Sequence, residues 1–157
     1  MQFQISPVAK IPSAIPLLAD WHHQEWQHLN SQNYNLKARI TDYEQIAATK
    51  VFPAMLVAHK NQTPLGSIRL IENDMDTHPE LSPWIASLYV SEGYRCLEIG
   101  TALIANIETT AIELNFKKIY LFTENHQAIY KRQRWEIFSN EMYFNQNVTI
   151  MHKQLHE

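Results

Sequence analysis

With 157 residues, 45% of them apolar and 18% charged, the chain has the length and composition of one globular domain, which excludes two ordinary domains or a disordered tail. Lys and Arg total 13 against 16 Asp and Glu, a net charge of −3, so the basic face of a general nucleic-acid binder is missing. A lone cysteine, Cys96, excludes an internal disulfide and a multi-cysteine zinc site. Met1 to Lys10 alternates apolar and polar residues without a signal-peptide core, and no stretch reaches the roughly 20 apolar residues of a membrane span. The expected setting is therefore the cytoplasm, with neither nucleic acid nor membrane as partner.

Phe3 and Ile5 alternate with Gln2 and Gln4, which predicts a short edge strand before Pro7. Ser13 offers an N-cap for a helix whose stripe runs Ile15, Leu18, Trp21, His22, Trp26 and Leu29. A second, short helix is expected from Thr41, with Asp42 and Glu44 in its first turn and Tyr43, Ile46 and Ala47 facing inward. Residues 54–58 and 66–71 read as two strands, joined through Asn61-Gln62-Thr63-Pro64 as a hairpin. An acidic loop, Glu72 to Ser82, leads to the apolar run Trp84 to Val90, which predicts a strand buried on both faces. After a loop from Ser91 to Arg95, the stripe Ile99, Leu103, Ile107, Ala111 and Leu114 predicts an amphipathic helix, with Asn115 as its left-handed cap. Ile119 to Thr123 reads as another buried strand. A short helix from His126 to Arg132 and a hairpin around Asn145-Gln146-Asn147 complete one mixed α/β domain spanning 1–157.

The junction of buried strand and long helix carries the chemistry. A helix N-terminus there presents unpaired N–H groups and the positive end of a dipole, which suits a phosphate or pyrophosphate. Arg95 adds a fixed positive charge, and Gly100 leaves room for close approach. Every α/β crossover has such a junction, so the local pattern alone also fits a plain structural turn.

The run Leu88-Tyr89-Val90-Ser91-Glu92-Gly93-Tyr94-Arg95-Cys96-Leu97-Glu98-Ile99-Gly100-Thr101-Ala102-Leu103 resembles the GCN5-related N-acetyltransferase family. The family motif is Arg or Gln, two variable residues, Gly, one variable residue, then Gly or Ala, and Arg95 and Gly100 match its ends. Asn125, Ala128, Tyr130 and Trp135 resemble the second signature, Asn-x-x-Ala-x-x-Tyr before a Gly-aromatic pair, with one residue fewer between Ala128 and Tyr130. The resemblance covers about Phe52 to Leu155. It departs at Glu98, which stands for the motif's first glycine, and at Arg134, which stands for the glycine before the aromatic.

The resemblance implies a mostly antiparallel, splayed central sheet flanked by helices, and acetyl-coenzyme A as co-substrate. It implies that pantetheine pairs with the backbone of Leu88, Tyr89 and Val90. Arg95, Cys96, Leu97, Glu98, Ile99, Gly100 and Thr101 would hold the pyrophosphate, and Asn125 would contact the pantetheine arm. Tyr130 occupies the family's tyrosine position, whose hydroxyl can protonate the departing thiolate.

An amine must lose a proton before it attacks a thioester, since a free alkyl amine has a pKa around 10. The strand Trp84 to Val90 holds no carboxylate or histidine, so the base is sought in the preceding loop. Asp74 is the candidate, with Glu72 beside it. Together with Asp76 and Glu80 they would draw a cationic acceptor. His22, His23, Glu25 and His28 lack the spacing of a zinc face and read as exposed helix surface; no metal site is expected. Cys96 reads as an incidental thiol, and Trp21 and Trp26 as core aromatics or pocket lining.

The expected activity is N-acetyl transfer from acetyl-coenzyme A to a primary amine, small molecule or peptide, by direct attack in a ternary complex. The alternatives are a non-catalytic acyl-coenzyme A binding module and a domain binding another phosphate ligand. The final hairpin could also pair two subunits as a homodimer.

Overall fold

The computed structural model describes residues 2–156. In chain order the elements are β1 (Gln4–Pro7), α1 (Ile15–Trp26), α2 (Leu36–Ala48), β2 (Ala54–Lys60), β3 (Thr63–Ile71), β4 (Trp84–Val90), α3 (Ile99–Glu113), β5 (Lys118–Thr123), α4 (Gln127–Arg132), β6 (Glu136–Tyr143) and β7 (Gln146–Gln154). The strands make one sheet ordered β1-β2-β3-β4-β5-β7-β6. Its neighbours are antiparallel except β4 and β5, which lie parallel across the α3 crossover. This is the mixed, mostly antiparallel architecture expected.

The two faces of the sheet follow from the period of two along each strand. Ile68 and Leu70 of β3, Ile85 of β4 and Ile119 and Leu121 of β5 join Leu103, Ile104, Ile107 and Ala111 of α3 in the main core. On the opposite face Met55 and Val57 of β2 pack with Leu18 and Ala19 of α1 and Tyr43 and Ile46 of α2. The alternate residues of β3 on that face are Ser67 and Arg69, both buried. A polar pair thus sits where an apolar core would otherwise continue.

The sheet opens between β4 and β5. Their ladder consists of Trp84 opposite Tyr120 and goes no further. Its cause is local to β4: Ser67 faces Tyr89 and Arg69 faces Ala86, so two residues of β4, Ser87 and Leu88, oppose Ile68 alone. Ser87 has φ 57, and this bulge bends the carboxyl half of β4 away from β5. Beyond the bulge β3 and β4 approach closely, since a Cβ on Gly66 would lie 2.6 Å from the Tyr89 carbonyl oxygen.

Four local expectations are corrected. Ser13 does not cap α1: it lies in a 3-10 turn, Pro12–Ala14, and the helix starts at Ile15 with no side-chain cap, Pro16 supplying the helical φ of its first turn. The helix expected from Thr41 starts at Leu36, because Asn35 Oδ1 accepts from the Ala38 N–H at 2.9 Å; the buried Arg39 breaks the apolar pattern there. β4 is buried only at Trp84 and Ile85, and half-exposed from Ala86 onward, since β5 leaves it. His22 is fully buried rather than exposed. Asn115, by contrast, takes the left-handed conformation expected of it, φ 68, and Phe116 N–H closes the helix end on Ala111 O at 3.1 Å.

Candidate active site

The opening between β4 and β5 leads into a cavity of about 210 Å³. Leu88, Asn125 and Tyr130 line it on the side of the open strand edge. Trp26 and Leu29, from the end of α1 and the turn after it, cover it on the other face of the sheet. Arg39 of α2, Arg69 of β3 and Asp74 of the following loop form a charged part of its wall.

Tyr130 is 7% exposed, and among the described residues its hydroxyl makes no protein hydrogen bond. Burial pushes that hydroxyl well above its ordinary value, so it holds its proton across the physiological range. Asp74 keeps partial exposure while lining the cavity, and burial raises its carboxyl to about 7, the charges of Arg69 and Arg39 opposing the shift. Glu72 is exposed and lies outside the cavity lining. Of the two loop carboxylates considered as base, the fold therefore brings Asp74 alone to the wall.

A buried relay underlies the charged wall. Arg39 Nη1 donates to the Tyr43 hydroxyl at 3.1 Å, and Tyr43 in turn lies 2.7 Å from His22 Nδ1. His22 Nε2 lies 2.7 Å from Ser67 Oγ, which donates to the Ser87 carbonyl at 3.0 Å. Since Ser67 spends its proton on Ser87, His22 Nε2–H must be the donor and Nδ1 the acceptor from Tyr43. A neutral imidazole is what burial enforces, with the charges of Arg69 and Arg39 adding to it. Arg69 Nε donates to Ser87 Oγ at 2.9 Å, and its Nη1 reaches Asp42 at 3.2 Å. Side chains from four elements thus hold the β4 bulge in place.

The residues matched to the cofactor motif form a separate group at the end of β4 and the start of α3. Leu88, Tyr89 and Val90 are half-buried. Tyr89 stacks on Trp21 at 5.4 Å, and the Arg95 guanidinium lies over its ring, with Arg95 Nε donating to Val90 O at 2.8 Å. Cys96, Leu97, Glu98 and Thr101 are exposed, whereas Ile99 buries its side chain in the core and offers only its backbone. Glu98 has φ 64 and Arg134 φ 71. Both departures from the motif glycines thus occupy the left-handed conformation that glycine adopts without strain. At Gly100 a Cβ would meet Ile129 at an ordinary 3.4 Å. Among the described residues no group of three His, Cys, Asp or Glu could hold a metal ion.

Sequence reasoning missed Arg39, Arg69, Ser67, Ser87 and the His22–Tyr43 pair as parts of this site. One signal was present: Ser67 and Arg69 occupy alternate positions in a strand whose other central residues, Ile68 and Leu70, are apolar. A cation in phase with a buried face marks a polar site inside the fold.

The sequence matches the model of the acetyltransferase (GNAT) family over residues 15–133. An aminoglycoside 6'-N-acetyltransferase complexed with coenzyme A has the same fold, with a TM-score of 0.73 at 15% identity over 98% of each chain. A putative acetyltransferase from Salmonella typhimurium with acetyl-CoA gives 0.76 at 14% identity, covering 99% of this chain and 95% of that one. A putative phosphinothricin N-acetyltransferase gives 0.71 at 12% identity, covering 99% and 100%. No curated protein matches the sequence.

Proposed function

The chain belongs to the GNAT acetyltransferase family, and we propose that it moves an acetyl group from acetyl-coenzyme A to a primary amine of a small molecule. The observation that carries this reading is the cavity itself, which joins an open strand edge and a protonated tyrosine to a carboxylate that titrates near neutrality.

The groups present suit the donor. Past Ile85, β4 has backbone that β5 leaves unpaired, and an extended pantetheine arm can bond to it. The first turn of α3 presents N–H groups that no intrahelical carbonyl satisfies, next to Arg95, as a pyrophosphate needs. Glu98 is exposed, so its carboxylate can turn to solvent while its backbone stays in the loop.

The donor brings a thioester, and the amine nitrogen bonds to its acyl carbon as the carbon–sulfur bond breaks. Asp74 takes the proton that the amine must lose, a role suited to a carboxyl at about 7. Tyr130 gives its proton to the departing sulfur. No base is needed from β4 itself.

Calorimetry tests the donor site: acetyl-coenzyme A should bind, and pantetheine should bind much more weakly because it lacks the pyrophosphate. Thiol release with a panel of amines tests the transfer. Binding without release on any amine would favour the non-catalytic alternative, and equal affinity for pantetheine would remove the pyrophosphate site.

A further inference from the structure

The charged wall has a property that transfer to a simple amine does not require. Arg39 is 2% exposed, yet its Nε and Nη2 are buried without a hydrogen-bond partner. Those two nitrogens form one edge of the guanidinium, the edge that grips a carboxylate with two parallel hydrogen bonds. The third nitrogen is spent on Tyr43, and the ring of Tyr34 lies 4.8 Å from the guanidinium carbon. A guanidinium cannot shed its charge, so burying this edge unpaired is costly. Arg69 adds a second buried cation to the same wall and already has Asp42 as its partner. Among the described residues no carboxylate lies within bonding distance of Arg39.

We propose that the acceptor is a small amine that also carries an oxyanion, of the amino-acid type, whose anionic group pairs with the free edge of Arg39 while its amine lies toward Asp74. This inference rests on the acetyltransferase reading and narrows its substrate class. Of the acidic-loop residues from which a cationic acceptor is expected, Glu72, Asp76 and Glu80 are exposed and away from the cavity lining, whereas Asp74 lines it with Glu25 and Glu124 and faces the amine end of such a molecule. The volume of about 210 Å³ suits a molecule of amino-acid size.

The test compares acceptors on the wild-type enzyme, so it does not depend on a variant that folds. Amino acids are compared with their own amides and decarboxylated amines, and amino-sulfonic and amino-phosphonic acids distinguish the kinds of oxyanion. Thiol release gives kcat and KM, and acetyl-coenzyme A binding is measured separately. At least one oxyanion-bearing amine should exceed its neutral counterpart by roughly 10-fold or more in kcat/KM, chiefly through KM. In Arg39→Met that ratio should fall toward one, and Arg39→Lys, which keeps the charge but loses the fork, should lie between. The inference is overturned if amides or decarboxylated amines serve as well as the acids, or if no oxyanion-bearing amine is consumed while acetyl-coenzyme A still binds. Failure of acetyl-coenzyme A to bind would instead overturn the reading beneath it.

Discussion

The two ends of the cavity are built in different ways. The end toward the cofactor-motif residues comes from one stretch of chain, β4 with its loop and the first turn of α3, and α4 a short distance later, of which β4 and α4 reach the cavity lining. The end facing α2 is assembled from Arg39, Arg69 and Asp74, three separate elements, braced by His22 and Tyr43 from two helices. The first end uses backbone geometry, which many side chains can accompany. The second uses individual side chains, each in one place. A family can therefore keep the first end recognisable while the second varies with the acceptor.

The sharpest way to break this comparison is at Tyr130, where the local end should control chemistry. Tyr130→Phe keeps the ring and should keep acetyl-coenzyme A affinity, while kcat falls by roughly 10²-fold. A thioester with a more acidic thiol should recover part of the loss. Unchanged kcat with acetyl-coenzyme A would make Tyr130 structural.

Asp74 tests the distant end through pH. The native state holds the Asp74 proton to about 7, against an ordinary value of 3.8, so between those values it binds more protons than the unfolded chain. Stability from this group is therefore lost as pH rises through that window. Asp74→Asn should be close to wild type in Tm at pH 4 and more stable at pH 8, by roughly 2–4 °C per kcal/mol relieved. Its kcat/KM should fall roughly 10-fold or more, and the rising limb near pH 7 should vanish. A limb that survives would assign the base elsewhere.

The bulge that separates the two ends is tested at Gly66. Gly66→Ala places a methyl 2.6 Å from a backbone oxygen, with Leu103 behind it at 3.3 Å. A cost of about 1–3 kcal/mol is expected by denaturant titration. Wild-type stability would mean that β4 can move away freely.

The smallest effect is expected at Glu98. Glu98→Gly relieves left-handed strain of about 1–2 kcal/mol, offset by about 0.5–1 kcal/mol of added chain freedom. A net gain of about 0–1.5 kcal/mol should appear, with coenzyme A affinity kept or raised. A large loss of affinity would show that the carboxylate itself takes part.

The same contrast explains what could be read from the sequence. The α3 stripe, the Asn115 cap and the strand–helix junction are encoded within a few residues of one another, so periodicity and turn chemistry expose them. The start of α2 was hidden because Arg39 and its polar neighbours interrupt the apolar pattern for reasons of the site. His22 looked like surface because its partners, Tyr43 and Ser67, lie 21 and 45 residues away. The opening of the sheet was implied by family resemblance, but the bulge at Ser87 was not visible, since serine carries no mark of a left-handed conformation. Asp74 was one of several loop acids until the fold set it against two arginines.

The single pairing between β4 and β5 gives one strand two clocks for isotope exchange. Amides of β4 that bond to β3 sit in a ladder interrupted only at the Ser87–Leu88 bulge, and they release their protons when that ladder opens. Amides of the same strand that point toward β5 beyond Ile85 have no strand to bond and face the gap. In deuterated solvent the ligand-free chain should therefore label the gap-facing amides of Ala86 to Val90 fast and those bonded to β3 slowly, the pattern changing phase at the bulge. An extended molecule seated in the gap would slow only the fast set.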